Sequence, residues 1–233
     1  WQNTFWRSLK APRMSRCAVI IVAAGSSRRM GFNKLLALLG GEPVLRRTLG
    51  AFQACPDVSE IILVASQEAS DAASSWEVPK LTRIVPGGAE RHFSVKAGLD
   101  AVSPDCDLIA IHDGARPLIA VSQIKRCIES ARTQYAVTCA RRITETIKRA
   151  DDQGRITGSI DRENAWIMET PQIFTRKLIT RAYEAVLRDG LLVTDEVSAV
   201  QHLGEPVYVV ENATVNPKIT LPGDIQSAER FLL

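Results

Sequence analysis

The chain has little excess charge and few aromatic residues. Lys and Arg together number 29 against 26 for Asp and Glu, and aromatic residues make up 6% of the 233 residues. Nucleic-acid-binding proteins carry a clear basic excess, with aromatic residues alternating with the basic ones, and this sequence shows neither feature. The composition therefore predicts no nucleic-acid partner, whereas a small anionic ligand remains compatible with it.

Paired cysteines and long apolar runs are also lacking. The five cysteines are odd in number and form no C-x-x-C pair, which argues against disulfides and structural zinc. No apolar run approaches the ~20 residues that cross a bilayer. We therefore expect a cytoplasmic protein without a membrane partner.

Residues 1–16 contain four basic residues and no acidic one, and they have no secretory apolar region. This composition resembles a transit peptide, but Met14 directly before the first apolar run suits a true start equally well. We favour a disordered or non-native leader over 1–16, followed by one domain over 17–233.

Short apolar runs alternate with helical periodicity from residue 17 onward, which predicts an α/β fold with a mainly parallel sheet and helices on both faces. The strand candidates are 18–23, 60–65, 81–85, 107–111, 135–140 and 206–210. Three helical stripes are assigned to the core. They are Val44, Leu45, Leu49 and Phe52; Phe93, Ala97 and Ala101; and Val121, Ile124, Ile128 and Ala131.

Residues 141–164 break this alternation with polar and β-branched residues around Asp152-Gln153-Gly154, a pattern that predicts a protruding hairpin. An isolated two-stranded ribbon is only marginally stable in water, so such an arm needs a partner surface. We therefore predict a homodimer formed through this β-arm.

A phosphate-binding loop is predicted after the first strand. Gly25 allows close backbone approach to an anion, and Arg28, Arg29 and Lys34 supply positive charge. Ser27 excludes the dinucleotide fingerprint, and Phe32 after Gly31 excludes a Walker loop. The alternative is an ordinary strand-to-helix turn with exposed arginines.

Two further loops follow predicted strands, where open α/β sheets bind ligands. Asp113, in HDGARP, is a candidate Mg²⁺ ligand, because Mg²⁺ uses one or two carboxylates together with phosphate oxygens. Alternatively, Asp113 caps the next turn and pairs with Arg116. Gly88 and Ser94, in PGGAERHFS, suit the edge of a flat base, although a plain turn is equally compatible.

Eight short motifs, taken together, resemble in order and spacing those of the 2-C-methyl-D-erythritol 4-phosphate cytidylyltransferases of the non-mevalonate isoprenoid pathway. They are AAGSSRRM, GGAER, HDGARP, ETIK, IDR, ETPQ, VTDE and NPKIT. The resemblance runs from about Cys17 to the C-terminus. It implies a Rossmann-like nucleotidyltransferase fold, a dimer interlocked by the β-arm, Mg²⁺, CTP as the donor and a polyol phosphate as the acceptor.

The resemblance also implies roles for individual residues. Arg29 and Lys34, supported by Arg28, would hold the triphosphate and the transition-state charge, with Lys218 as a further catalytic residue. Ala23, Ala24, Gly25, Gly88 and Ser94 would surround the nucleotide. Asp113 would serve the metal and the substrate, and Arg116 would support its loop. The acceptor-binding residues would be Thr146 and Arg162 from the neighbouring subunit, with Thr170, Thr194 and Lys218.

The cations and the lack of an activated nucleophile predict direct in-line attack on CTP without a covalent enzyme intermediate. The alternatives are a ribitol 5-phosphate cytidylyltransferase, a sugar-1-phosphate nucleotidyltransferase that uses UTP or GTP, and a non-catalytic nucleotide sensor.

Overall fold

A computed structural model describes residues 15–25 and 32–232 of the chain, and its central feature is a seven-stranded sheet. The strands are β1 (Cys17–Ala23), β2 (Leu38–Leu39), β3 (Glu42–Pro43), β4 (Val58–Ala65), β5 (Leu81–Pro86), β6 (Leu108–Asp113), β7 (Ala136–Arg142), β8 (Ile147–Ala150), β9 (Ile156–Ile160), β10 (Trp166–Thr175) and β11 (Tyr208–Glu211). The helices are α1 (Val44–Ala54), α2 (Gln67–Ser74), α3 (Arg91–Ala101), α4 (Val121–Gln134), α5 (Arg176–Arg188), α6 (Glu196–His202) and α7 (Pro222–Glu229).

The seven-stranded sheet has the order β11-β7-β10-β6-β1-β4-β5 and is mainly parallel, as predicted. Strand β1 pairs in parallel with β4 and β6, and β4 pairs in parallel with β5. Strand β10 runs antiparallel to both β6 and β7, and it was not among the strand candidates. Polar Glu169, Thr170 and Gln172 interrupt its apolar pattern, and its pairing with β7 shifts register between Met168 and Gln172.

Helices cover both faces of the sheet, which confirms the predicted layers. Alternate side chains of β1 point to opposite faces, so Val19 and Ile21 pack in one core and Ala18 and Ile20 in the other. The first core includes α1 and α4, and the second includes α3 and α5. Burial on both faces is the reason that β1 is almost continuously apolar.

The predicted core stripes are confirmed on α1 and, except for half-buried Val121, on α4. The stripe predicted on α3 is wrong, because Phe93 is 45% exposed and Ala97 is only half-buried. The helix instead packs through Val95, Gly98 and Leu99. Gly98 lies so close to β1 that an added Cβ would be 2.5 Å from Ile20 Cγ2.

The predicted hairpin is present: β8 and β9 form a separate antiparallel two-stranded sheet within 141–164. Every residue of β9 is exposed. The hairpin therefore buries little within its own chain.

The described residues contain no helix with the length and apolar character that membrane crossing requires. All five cysteines are buried and free. Of the predicted leader, 1–14 lie outside the described residues. The Arg16 carbonyl accepts hydrogen bonds from the backbone N–H groups of Asp107 and Leu108, at 3.0 and 3.1 Å.

Candidate active site

A cavity of about 600 Å³ opens at the carboxyl ends of β1, β5 and β6. This is the edge where an open α/β sheet binds its ligands, next to the strand at which the strand order reverses. Six of the described residues that were predicted to bind the nucleotide or its phosphates line it. They are Ala23, Ala24, Gly25, Lys34, Gly88 and Ser94.

The paired glycines after β5 bring two loops into close contact. A Cβ added to Gly87 would lie 2.0 Å from Ala24 Cβ, so the position requires glycine. The Gly88 N–H donates to Ser94 Oγ at 3.1 Å, and the Ser94 hydroxyl donates to the Glu90 carbonyl at 3.3 Å. The glycine loop is therefore fixed against the first turn of α3, and both Gly88 and Ser94 line the cavity.

A second cavity of about 310 Å³ adjoins the first. Arg116, Thr170 and Thr194, all of which were predicted site residues, line it. Among the residues that the structure describes, three charged ones line both cavities. They are Arg91, Asp113 and Lys218. The two spaces therefore meet at one cluster of charges.

Asp113 is the centre of this cluster. Its carboxylate lies 3.0 Å from Lys218 Nζ, 3.3 Å from Arg116 Nε and 3.5 Å from an Arg91 guanidinium nitrogen. Burial by itself would raise the pKa of Asp113, but the three cations outweigh burial and hold that pKa well below its ordinary value. Asp113 is therefore ionised, and the cluster keeps a net positive charge suited to phosphates.

Lys218 reaches the cluster because a backbone hydrogen bond joins its segment to the loop after β6. The Ile219 N–H donates to the Ala115 carbonyl at 2.8 Å. The pairing of Arg116 with Asp113, which the sequence left as an alternative to a ligand-binding role, is also present. Asp113 therefore pairs with Arg116 and also lines both cavities.

Thr170 orients the end of β6. Its hydroxyl accepts from the Asp113 N–H at 3.1 Å and lies 3.0 Å from His112 Nδ1. Burial lowers the pKa of His112 to about 3, so the imidazole is neutral. His112 Nδ1 then accepts from the Thr170 hydroxyl, and Nε2 donates to the Arg116 carbonyl at 3.2 Å. The Thr170 hydroxyl thus makes hydrogen bonds to two groups of the protein itself, and it lies at the wall of the cavity where acceptor binding was predicted.

The sequence motifs gave no role to several polar residues that join the loops. The Gln172 side-chain carbonyl accepts from the backbone N–H groups of Glu196 and Val197, at 3.0 and 3.1 Å. Its amide donates to Asp195 Oδ2 at 3.2 Å. Asp195 is the N-cap of α6, and its side chain accepts from the Ser198 N–H. Gln172 therefore connects ETPQ to TDE, and the only signal in the sequence was the joint occurrence of the two motifs.

Glu169 performs a similar task for the NPKIT segment. Its carboxylate accepts from the Asn212 and Asn216 amides at 2.8 and 3.2 Å. The backbone carbonyl of Asn216 in turn accepts a hydrogen bond from the Arg116 guanidinium at 2.8 Å. Through these bonds, β10 determines where the loop before Lys218 lies.

Of the remaining predicted site residues, two lie outside the described part of the chain and two do not line these cavities. Arg28 and Arg29 lie outside the described residues. Thr146 and Arg162 are exposed on the arm, where Arg162 donates to the Thr144 carbonyl, and neither lines the two cavities of its own chain. Within 15–25 and 32–232, no three His, Cys, Asp or Glu side chains cluster as a metal site.

Comparison with known proteins agrees with this geometry. The family model for 2-C-methyl-D-erythritol 4-phosphate cytidylyltransferase matches residues 17–233. The protein of that name from Symbiobacterium thermophilum is 41% identical over 217 residues, which cover 92% of each chain. The one from Caldanaerobacter subterraneus is 38% identical over 224 residues, covering 92% of this chain and 98% of the relative.

A solved structure is also similar. The crystal structure of 4-diphosphocytidyl-2C-methyl-D-erythritol synthase from Anaerococcus prevotii superposes with a TM-score of 0.82 at 31% identity. The match covers 94% of this chain and 98% of that one. The similarity thus extends over nearly the whole chain.

Proposed function

Since the chain belongs to the family of 2-C-methyl-D-erythritol 4-phosphate cytidylyltransferases, we propose that it transfers CMP from CTP to that acceptor and releases pyrophosphate. The product is 4-diphosphocytidyl-2-C-methyl-D-erythritol, an intermediate of isoprenoid biosynthesis. One observation carries the proposal: two adjoining cavities share Arg91, Asp113 and Lys218. Such a junction suits two phosphorylated substrates that react with each other.

We assign CTP to the larger cavity. The backbone around Gly88 faces the base, and Lys34 and the loop after β1 face the triphosphate. Ala89 presents no acidic side chain to cytosine, so backbone groups read the base edge. The acceptor phosphate occupies the smaller cavity beside Lys218 and Arg116.

The reaction is a direct in-line displacement. An oxygen of the acceptor phosphate forms a bond to the α-phosphorus of CTP, and the bond from that phosphorus to the pyrophosphate oxygen breaks. A phosphate monoester is largely deprotonated near neutral pH, so it needs little help from a general base. Neutral His112, whose two ring nitrogens are both hydrogen-bonded, is not required for proton transfer.

The main barrier is repulsion between two anions. A unit charge pair at ~4 Å is worth roughly 4 kcal/mol at an effective dielectric constant near 20. Lys34, in the larger cavity, and Lys218, where the two cavities meet, therefore offset much of that repulsion. Alignment of the two reactants contributes about 7 to 11 kcal/mol more.

We propose that Asp113 would hold Mg²⁺ together with phosphate oxygens of CTP. The donor set fits, because within the described part of the chain Asp113 Oδ1 has the long 3.5 Å ion pair to Arg91, whereas Oδ2 is engaged by Arg116 and Lys218. The ion would supply charge neutralisation on the triphosphate.

We further propose a homodimer in which the arm completes the acceptor site of the other copy. Thr146 and Arg162 are exposed on a hairpin that buries little in its own chain, and an exposed ribbon of this kind gains stability from a partner. Light scattering at micromolar concentration should give twice the monomer mass, and a monomer would contradict this proposal. We also expect a cytoplasmic enzyme without a nucleic-acid partner.

Pyrophosphate release over a matrix of nucleotides and acceptors tests the function. CTP with 2-C-methyl-D-erythritol 4-phosphate should give the highest kcat/KM, above UTP, GTP or ATP and above ribitol 5-phosphate. Lys218→Ala should abolish most of the activity, whereas Lys125→Ala should not, because Lys125 pairs with Glu129 on the exposed side of α4. A preference for ribitol 5-phosphate, or binding of CTP without turnover, would contradict the proposal.

A further inference from the structure

Arg91 is held by an unusually buried partner. Its guanidinium makes two hydrogen bonds to the carboxylate of Glu196, one of them 3.1 Å long, and the Glu196 side chain has no exposed surface. The Tyr183 hydroxyl donates to the same carboxylate at 3.0 Å. Burial, with Glu196 close by, raises the pKa of Tyr183, so this hydroxyl remains a donor.

Arg91 is poorly suited to stabilising its own helix. It is the first residue of α3, whose N-cap Glu90 makes no side-chain capping bond. A cation at this end opposes the helix dipole, which favours negative charge there. A residue that conflicts with its local structure commonly serves a functional site.

The guanidinium lies where the two cavities meet. It lines both of them and comes within 3.5 Å of Asp113 Oδ1. Arginine has five N–H donors, and within the described chain two are hydrogen-bonded to Glu196. Donors therefore remain for a phosphate oxygen, whose geometry the planar guanidinium matches well.

We propose that Arg91 binds a phosphate oxygen at the junction of the two cavities, and that buried Glu196, with Tyr183 behind it, is the positioning residue that fixes its guanidinium there. This inference rests on the proposed function and adds a phosphate-binding arginine to it. Because the contact is strongest when the two phosphates converge, its loss acts mainly on kcat.

The main test replaces all three hydrogen-bonded polar side chains at once, those of Arg91, Glu196 and Tyr183. The triple variant Arg91→Met, Glu196→Leu and Tyr183→Phe leaves neither an unpaired buried charge nor an orphaned hydroxyl, and apolar replacements of this kind commonly keep a protein folded. Steady-state kinetics should show kcat reduced about 100-fold, with the KM of each substrate changed less than about fivefold. Thermal unfolding should remain cooperative.

A milder variant tests the positioning role separately. Glu196→Gln keeps the shape and one acceptor but loses the charge, so Arg91 stays in the site with a less fixed guanidinium. We expect kcat to fall about tenfold while the KM for CTP is maintained.

The matched control removes an ion pair at the opposite end of the sheet. Arg132 pairs with Asp57 at 2.7 Å, and the Arg132 side chain is 26% exposed, against 25% for Arg91. Arg132→Met with Asp57→Asn should leave kcat unchanged.

The outcomes separate the inference from the function. If the wild-type enzyme transfers CMP and the folded triple variant has a kcat within threefold of wild type, the inference is wrong and the function stands. If the triple variant fails to fold, Glu196→Gln decides, because an unchanged kcat in that variant also overturns the inference. If the wild-type protein releases no pyrophosphate from the two substrates, the proposed function itself is wrong.

Discussion

Gly87→Ala should damage the nucleotide cavity through steric contact alone. The added Cβ would lie 2.0 Å from Ala24 Cβ, whereas ordinary contacts begin near 3.4 Å, so the two loops must separate by about 1.4 Å. The Ala24 loop follows β1 and forms a wall of the larger cavity. Relief of the contact therefore moves groups that we assign to CTP binding.

Overpacking of this kind costs about 1 to 3 kcal/mol. For a domain of this size, each kcal/mol lowers the Tm by roughly 2 to 4 °C, so the expected decrease is about 2 to 12 °C. If even 1 kcal/mol of the strain acts on the bound state, the KM for CTP rises about fivefold. Differential scanning calorimetry and pyrophosphate release measure the two effects.

Gly50→Ala is the matched control. Gly50 lies in α1, and an added Cβ there meets nothing within 4 Å. The change should stabilise the helix by about 0.5 to 1 kcal/mol and leave the KM for CTP unchanged. If Gly87→Ala retained the Tm and the CTP KM of the wild-type enzyme, the close packing of the two loops would not be a requirement of the cavity.

Lys34→Ala should lower kcat about 100-fold or more, because its charge faces the departing pyrophosphate, and a wild-type kcat would remove Lys34 from the mechanism. Arg162→Ala should raise the acceptor KM about tenfold without changing the KM for CTP, and a parallel loss of CTP affinity would contradict the assignment of the arm. Mixed Arg162→Ala and Lys34→Ala chains should regain activity, because a heterodimer contains one intact site; no recovery after verified subunit exchange would argue against a shared arm. Burial lowers the pKa of His112 to about 3, so the unfolded chain binds a proton near pH 6.5 that the folded chain does not. The His112 contribution to stability is therefore present above pH 6.5 and decreases as pH falls toward 3, by about 1.4 kcal/mol per pH unit. Denaturant unfolding from pH 6.5 to 4.5 should show a shallower dependence for His112→Gln, and equal slopes would be inconsistent with a neutral buried imidazole.

Local patterns predicted most of the scaffold. The apolar runs that became β1, β4 and β6 needed no tertiary information, because a strand covered on both faces is apolar throughout. The turn around Asp152-Gln153-Gly154 likewise identified the arm. Loops that follow parallel strands meet at one edge of a sheet, so Ala23–Gly25, Gly88 and Asp113 could be assigned to one site from their positions alone.

Other features depended on contacts between distant segments. The face that α3 buries was predicted wrongly, because helical periodicity does not reveal how closely Gly98 approaches Ile20. Strand β10 was missed because its polar residues are buried for their hydrogen bonds rather than for apolar packing. The role inferred for Arg91 could not be read from GGAER, because its partner Glu196 lies more than a hundred residues away.

The sequence by itself determined the parallel α/β core, the glycine loops at its carboxyl edge and the protruding arm, because each follows from local periodicity and turn chemistry. Only the tertiary structure decided which charges meet. Strand β10 enters antiparallel between β6 and β7, and its side chains bond to the end of β6, to the start of α6 and to the loop before Lys218. A buried carboxylate requires partners, and only the folded chain shows which side chains provide them.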